Sequence, residues 1–83
     1  MATVEDRVKA VVAKVLHVNA ASIKPEQNFG TDLGAESVQS IELVAAFEEE
    51  FGIELQEDEA LSVSTVGGAV EYLTRICKEQ GRL

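Results

Sequence analysis

The segment from Gly34 to Phe51 constrains the fold of this chain most strongly, because a turn is followed there by the pattern of an amphipathic helix. A loop ends at residues 34–36, and the helix is predicted to begin at or just after Ser37. At about 100° per residue, one arc of this helix collects apolar residues and forms the predicted core face. That face consists of Leu43, Val44, Phe47 and Phe51, with Ser40 inside the same arc.

A second arc of the same helix is apolar with an acidic border, and we call it the acidic strip. It consists of Val38, Ile41 and Ala45, bordered by Glu42, Glu48 and Glu49. A helix in a small domain cannot bury every face, so the strip is predicted to stay exposed and to dock on another protein. The glutamates at positions 48–50 also lie at the negative end of the helix dipole, where carboxylates are unfavourable, and this favours a role in partner binding.

Ser37 stands at the predicted start of this helix and allows two interpretations. Serine is a favoured N-cap residue, because its hydroxyl accepts a hydrogen bond from a free backbone N–H group. Alternatively, the hydroxyl is an exposed attachment point for a phosphate group, whose charge would face free N–H groups and the positive end of the helix dipole. The two interpretations are compatible, since a residue at a helix start is exposed in either case.

The composition indicates a single small domain, residues 1–83, with protein partners. Hydrophobic residues make up 46% of the chain, enough for one modest core. The net charge of −8 argues against nucleic acids and anionic membranes and favours proteins with basic patches. One cysteine excludes an internal disulfide and indicates a reducing compartment. Because neither a membrane-spanning run nor a secretory signal pattern occurs, we expect a cytoplasmic location without membrane insertion. We also expect a monomer.

Helical spacing also marks a first and a last helix. Thr3 and Asp6 form the pattern of a helix start. The apolar face of this first helix consists of Val4, Val8, Val11, Val12 and Val15. Ser64 or Thr65 is predicted to cap the last helix, after which residues 78–83 are expected to fray. The core face of the last helix consists of Val66, Ala69, Val70, Leu73 and Ile76.

The connections complete an all-α prediction. Residues 18–36 form a long polar loop. Its apolar anchors to the core are expected to be Ile23, Phe29 and Leu33. Residues 56–61 have room for one or two helical turns, and Gly67 and Gly68 permit close approach of either another helix or a bound chain. The predicted fold is a small antiparallel helical bundle of three main helices plus one short helix, with no sheet and a long loop between the first two.

Other residues could carry chemistry, but each has a simpler structural interpretation. His17 is the only histidine, and a place near the end of the first helix suits its charge better than a role as ligand or base. Asp32 is expected to cap a short turn rather than to bind a cation. Cys77 lies beside the last core face and is expected to be a small buried residue rather than a reactive thiol. Ser37 is not in a nucleophile-elbow pattern, so no enzyme is expected.

A series of short motifs surrounds the candidate serine. These are Leu33-Gly34-Ala35, Glu36-Ser37-Val38, Glu42-Leu43-Val44 and Glu49-Glu50-Phe51, with Ile23-Lys24-Pro25, Phe29 and Asp32 before them and Ser64-Thr65-Val66 after them. In this order they closely resemble the acyl carrier protein family, over nearly the whole chain. Members of that family carry a serine in an Asp-Ser-Leu motif between a Leu-Gly-Ala turn and a Glu-Leu-Val helix with an acidic Glu-Glu-Phe end. Glu36 replaces the usual Asp here, and Val38 the usual Leu.

The resemblance implies a carrier that performs no chemistry itself. Ser37 would receive 4′-phosphopantetheine from coenzyme A through a phosphopantetheinyl transferase. Glu36 would help this transferase to recognise the serine. The thiol of the arm would hold acyl groups as thioesters, with the apolar chain sheltered between the helices. The acidic strip would dock on basic patches of acyl-transferring and chain-elongating enzymes.

The resemblance leaves the pathway open. Fatty acid biosynthesis is the commonest role of free-standing members of the family. One alternative is a specialised polyketide, lipopeptide or lipid pathway, to which the departures at Glu36 and Val38 point. The other alternative is an unmodified interaction module that keeps the fold but not the arm.

Overall fold

The computed structural model describes residues 2–82, which form four α-helices and one short 3₁₀ turn. The bounds are α1 Val4–Leu16, the 3₁₀ turn Ala20–Ser22, α2 Ser37–Phe51, α3 Glu57–Leu61 and α4 Val66–Glu79. No strand occurs among these residues; Asn28 and Thr65 form only an isolated bridge. The prediction of three main helices, one short helix and a long loop between the first two is confirmed. Within the same residues, no helix is long and apolar enough to cross a membrane.

The first helix begins and ends where its sequence predicts. The Thr3 hydroxyl accepts a hydrogen bond from the N–H of Asp6 at 3.1 Å, and the Asp6 carboxylate accepts one from the N–H of Thr3 at 3.2 Å. His17 ends the helix in the left-handed conformation, with φ 57°. The buried residues of α1 are Val8, Val11, Val12 and Leu16. Two predicted core residues, Val4 and Val15, lie at the edge of the core and are only partly buried.

The hydrophobic core is shared mainly by α1, α2 and α4. The buried residues of α2 are Leu43, Phe47 and Phe51. Those of α4 are Val66, Ala69, Tyr72, Leu73, Ile76 and Cys77. Ile23 and Phe29 add the long loop to this core as predicted, and Leu33 packs against its edge. Val44 is only half-buried, because it borders a cavity between α2, α3 and α4.

Arg7 joins α1 to the end of α2. Its Nε lies 2.9 Å from the carboxylate of Glu50, and its Nη2 donates a hydrogen bond to the Glu50 carbonyl at 2.7 Å. The guanidinium carbon also lies 4.3 Å from the centre of the Phe51 ring. A single arginine therefore fixes the C-terminal end of α2 against α1 and neutralises one of its three terminal carboxylates.

The long loop is fixed to the start of α4 by backbone hydrogen bonds. The N–H of Phe29 donates to the Ser64 carbonyl at 3.0 Å, and the N–H of Gly67 donates to the Pro25 carbonyl at 2.8 Å. A β-carbon at Gly67 would lie 3.1 Å from the same carbonyl oxygen, so the missing side chain allows this contact. Gly67 therefore accommodates the loop, and not another helix or a bound chain.

The C-terminal residues are held by the connection after α2. The side chain of Gln80 accepts a hydrogen bond from the N–H of Glu54 at 2.9 Å and donates one to the Glu54 carbonyl at 2.7 Å. The prediction that residues 78–83 fray is therefore wrong for the part that the structure describes, and Leu83 lies outside the described residues. The reason is a long-range contact that a local sequence pattern does not reveal.

Candidate functional site

The start of α2 is capped by Glu36 and not by Ser37. Glu36 has extended backbone angles (φ −85°, ψ 167°), and Ser37 is the first helical residue. The N–H of Glu36 donates to the side-chain oxygen of Gln39 at 3.0 Å, and the Glu36 carbonyl accepts a hydrogen bond from the N–H of Ser40 at 2.9 Å. The interpretation of Ser37 as the N-cap is therefore wrong, because the helix begins one residue earlier than that interpretation requires.

The turn before α2 has a fixed backbone. Gly34 has φ 73°, a conformation that glycine adopts without strain. Its N–H donates to the Gly30 carbonyl at 3.2 Å, and the N–H of Ala35 donates to the Phe29 carbonyl at 2.8 Å. Since Phe29 is buried, this turn ties the start of α2 to the core and sets the position of the residues that follow.

Ser37 is exposed, and its hydroxyl makes no hydrogen bond with other residues between 2 and 82. The first turn of α2 contains no acidic residue, and its N–H groups precede the intrahelical hydrogen bonds. An anion at this position would be stabilised by the helix dipole by about 0.3–1 kcal/mol. The environment of Ser37 therefore suits a hydroxyl that becomes part of a negatively charged phosphodiester.

The acidic strip is exposed along most of its length, as predicted. Val38 and Ile41 are 69% and 49% exposed, respectively. Ala45, Glu42 and Glu49 are also exposed. Glu48 differs, because it is half-buried and its carboxylate accepts a hydrogen bond from the N–H of Leu55 at 2.9 Å. Because Arg7 pairs with Glu50, two of the three carboxylates at the end of α2 have partners within the fold. The charge cluster at this end of the helix is therefore less unfavourable than the sequence suggests, and it gives less support to partner binding.

An apolar cavity of about 60 Å³ lies between α2, α3 and α4. Its apolar lining includes Phe29, Leu43, Phe47, Leu61, Ala69 and Leu73. Ser40 belongs to the lining too, and it lies one turn along α2 from Ser37. Residues three apart lie on the same side of a helix. Ser37 therefore stands between the acidic strip and the side of α2 that faces the cavity.

Tyr72 lies in the lining of this cavity and is absent from the core face predicted for α4. It is only 9% exposed, and its hydroxyl is buried without a hydrogen-bond partner in the described part of the chain. Burial, together with the nearby Glu59 carboxylate, raises the pKa of this hydroxyl to about 12. The helical spacing of Ala69, Tyr72 and Ile76 could have revealed a core residue, but no sequence signal reveals the missing hydrogen bond.

The alternative functional residues have the structural roles predicted for them. His17 is exposed at the end of α1. The Asp32 carboxylate accepts a hydrogen bond from the N–H of Asn28 at 2.7 Å, which closes a turn. Cys77 is buried, and burial raises the pKa of its thiol, which disfavours the reactive thiolate. Across residues 2–82, no group of three or more His, Cys, Asp or Glu side chains is arranged to hold a metal ion.

A protein-family model described as a phosphopantetheine attachment site matches residues 6–73 of the chain. The match covers most of α1, the long loop, all of α2 and α3, and the first half of α4. It therefore includes both the exposed hydroxyl of Ser37 and the residues that line the cavity.

Proposed function

Because the chain belongs to the family of phosphopantetheine attachment domains, we propose that Ser37 carries a 4′-phosphopantetheine arm and that the protein delivers acyl intermediates in fatty acid biosynthesis. A domain of this family is a carrier and not a catalyst. The bound arm supplies a thiol that holds the acyl group as a thioester. The observation that supports Ser37 is its exposed hydroxyl at the first position of α2, without a hydrogen bond to other described residues.

The other serines fit the attachment role less well. The Ser40 hydroxyl donates to the Glu36 carbonyl at 3.3 Å, and the Ser62 hydroxyl donates to the Glu59 carbonyl at 2.6 Å. Ser22 and Ser64 are exposed, but neither begins an α-helix. Of the five serines in the chain, Ser37 alone combines exposure with the start of a helix longer than two turns.

The acidic strip is the proposed docking surface for the transferase and for acyl-transferring and chain-elongating enzymes. Its two large apolar residues, Val38 and Ile41, are exposed and lie one and four positions after Ser37 on α2. Exposed carboxylates beside them would attract basic patches and accelerate association. Glu36 is exposed next to the serine, where it can contact the enzyme that loads the arm.

The cavity is the proposed shelter for the acyl chain. At about 60 Å³ it is much smaller than the cavity of about 150 Å³ that accommodates benzene in an engineered protein. An acyl chain of several carbons can enter only if the helices around the cavity move apart. Loading with longer chains is therefore expected to enlarge this space, and the buried part of the chain should stabilise the fold.

The first experiment is an intact-mass measurement after incubation with coenzyme A and a broad-specificity phosphopantetheinyl transferase. We expect one phosphopantetheine increment on the unaltered protein and on Ser40→Ala, and none on Ser37→Ala. Since Glu36 caps α2, Ser37→Ala should unfold in urea with a free energy within about 0.5 kcal/mol of the unaltered protein. An increment on Ser37→Ala, or no increment with several transferases, would contradict the attachment proposal.

Docking is tested with two variants of equal charge. Glu42 in the acidic strip and Glu71 on α4 are both exposed, so Glu42→Lys and Glu71→Lys change the net charge identically at different faces. We expect Glu42→Lys to slow loading by about tenfold, equivalent to about 1.4 kcal/mol, while Glu71→Lys has little effect. Equal slowing by both variants would show that only net charge matters and that the strip is not the docking surface.

The pathway is tested with the loaded protein and the condensing enzymes of fatty acid synthesis. We expect malonyl transfer to the arm followed by chain elongation, detected by mass spectrometry. An arm that is loaded but never elongated would favour the alternative of a specialised polyketide, lipopeptide or lipid pathway. A protein that binds the same enzymes without loading would be the unmodified interaction module.

A further inference from the structure

The cavity between α2, α3 and α4 is lined by two residues that carry hydroxyl groups, and the rest of its lining is apolar. They are Ser40 and Tyr72, the residues with polar side chains among the described residues that line it. The Ser40 hydroxyl already donates to the Glu36 carbonyl at 3.3 Å. The Tyr72 hydroxyl makes no hydrogen bond within the described residues. The Glu59 carboxylate is the acceptor that acts on it, since it raises the pKa of this hydroxyl.

A buried hydroxyl without a hydrogen bond is unfavourable, since nearly all buried polar groups in folded proteins have a partner. Phenylalanine would fill the same space without that cost. The ring of Tyr72 supplies the apolar contacts of the core, so the hydroxyl has two candidate acceptors, namely the Glu59 carboxylate and a molecule in the cavity. Its place in the lining makes it available to a molecule that enters the cavity.

We propose that the Tyr72 hydroxyl donates a hydrogen bond to an oxygen on the acyl chain, so that the cavity prefers chains with a keto or hydroxyl oxygen over saturated chains. The inference rests on the proposed function, since the chain would enter the cavity from an arm on Ser37. It makes Tyr72 a residue that determines which cargo is sheltered, while the apolar lining binds the hydrocarbon part of either kind of chain.

The surroundings of Tyr72 suit a neutral donor. Burial raises the pKa of its hydroxyl to about 12, so the group keeps its proton throughout the physiological range. The Glu59 carboxylate, which also raises this pKa, is itself paired with Arg75 at 3.4 Å. If the Tyr72 hydroxyl instead donates to the Glu59 carboxylate, the burial of the acyl chain should not depend on whether the chain carries an oxygen. The experiment must separate these two explanations.

The experiment compares octanoyl chains in which a single keto oxygen is moved along the chain with plain octanoyl. Each is attached to the protein through a transferase and the matching coenzyme A derivative, and intact mass confirms the loading. Burial of the chain is measured as protection of the thioester from hydroxylamine, and as the urea midpoint of unfolding. The unaltered protein, Tyr72→Phe and Glu59→Gln are compared. Tyr72→Phe removes only the buried hydroxyl, so the variant should fold.

We expect at least one keto position to give about tenfold greater protection than octanoyl in the unaltered protein, corresponding to about 1.4 kcal/mol. Tyr72→Phe should remove this difference and protect octanoyl at least as well as before, whereas Glu59→Gln should keep the difference. The proposal is overturned if no keto position exceeds octanoyl, or if Tyr72→Phe changes all chains equally. A protein that is never loaded at Ser37 refutes the carrier proposal first, and the mass measurement identifies that case.

Discussion

The ionisation of Tyr72 predicts a specific loss of stability at alkaline pH. Its pKa rises from 10.0 to about 12 on folding, so the native state keeps the proton that the unfolded chain releases. A group whose folded pKa is raised contributes stability that is complete below pH 10 and is lost as the pH rises towards 12. At about 1.36 kcal/mol per pKa unit, the loss is of order 2–3 kcal/mol. This is a large part of the total free energy of unfolding of a domain of this size, which is about 4–12 kcal/mol.

The measurement is unusually direct because the chain has one tyrosine and no tryptophan. The near-ultraviolet absorbance of tyrosinate therefore reports the Tyr72 hydroxyl alone, and a titration of the folded protein gives its pKa. Urea unfolding from about pH 8 to about pH 12, on the unaltered protein and on Tyr72→Phe, gives the difference in the free energy of unfolding at each pH. All other ionisable groups are the same in the two proteins, so their contributions cancel in that difference.

The two proteins should diverge above pH 10, with Tyr72→Phe the more stable by about 2–3 kcal/mol near pH 12, beyond any difference at pH 8. Glu59→Gln should lower the pKa of Tyr72, because the Glu59 carboxylate is one cause of its shift. A folded-state pKa near 10, or parallel stability curves for the two proteins, would show that the hydroxyl is hydrated. That result would also contradict the proposal that the Tyr72 hydroxyl is a buried hydrogen-bond donor for the acyl chain.

Three further predictions concern the fold and the docking of partners. Gly52 has φ 64°, and a β-carbon strains this left-handed conformation, so Gly52→Ala should lower the free energy of unfolding in urea by about 1–2 kcal/mol. The control Gly30→Ala should change it by less than about 0.5 kcal/mol. Arg7→Gln should cost about 1–2 kcal/mol in the free energy of unfolding, because it loses contacts with Glu50 and an aromatic ring. Lys9→Gln breaks only an i,i+4 pair within α1 and should cost under about 0.5 kcal/mol. The rate of phosphopantetheine loading should fall steeply with ionic strength, and a rate independent of salt would contradict electrostatic docking.

The helices follow from the sequence because their information is local. The spacing of apolar residues in α2 gives both its buried face and its exposed strip, and Gly52 ends it as the sequence predicts. The cap of α2 is harder to predict, because serine is the better capping residue by preference and Glu36 the poorer one. The side chain of Gln39 favours Glu36 as the cap, since it accepts a hydrogen bond from the N–H of Glu36 and leaves Ser37 inside the helix.

The features that the sequence does not reveal are contacts between distant segments. The hydrogen bond between Gly67 and Pro25, and the pair that Gln80 makes with Glu54, each join residues more than twenty positions apart. Each residue looks unremarkable within its own segment. The same holds for Tyr72, whose helical position can be predicted but whose missing hydrogen bond depends on every group that packs around it.

The packing of α3 and the small size of the cavity together indicate which helix would move most easily to enlarge the cavity. α3 has five residues and contributes none of the buried ones, whereas α1, α2 and α4 supply most of the core. Displacing α3 therefore exposes less apolar surface than displacing any other helix. Leu61 of α3 lines the cavity and is still 42% exposed, so a small shift of this helix would open the cavity at its side. The short acidic helix that the sequence predicts least firmly is thus the one whose displacement would disturb the core least.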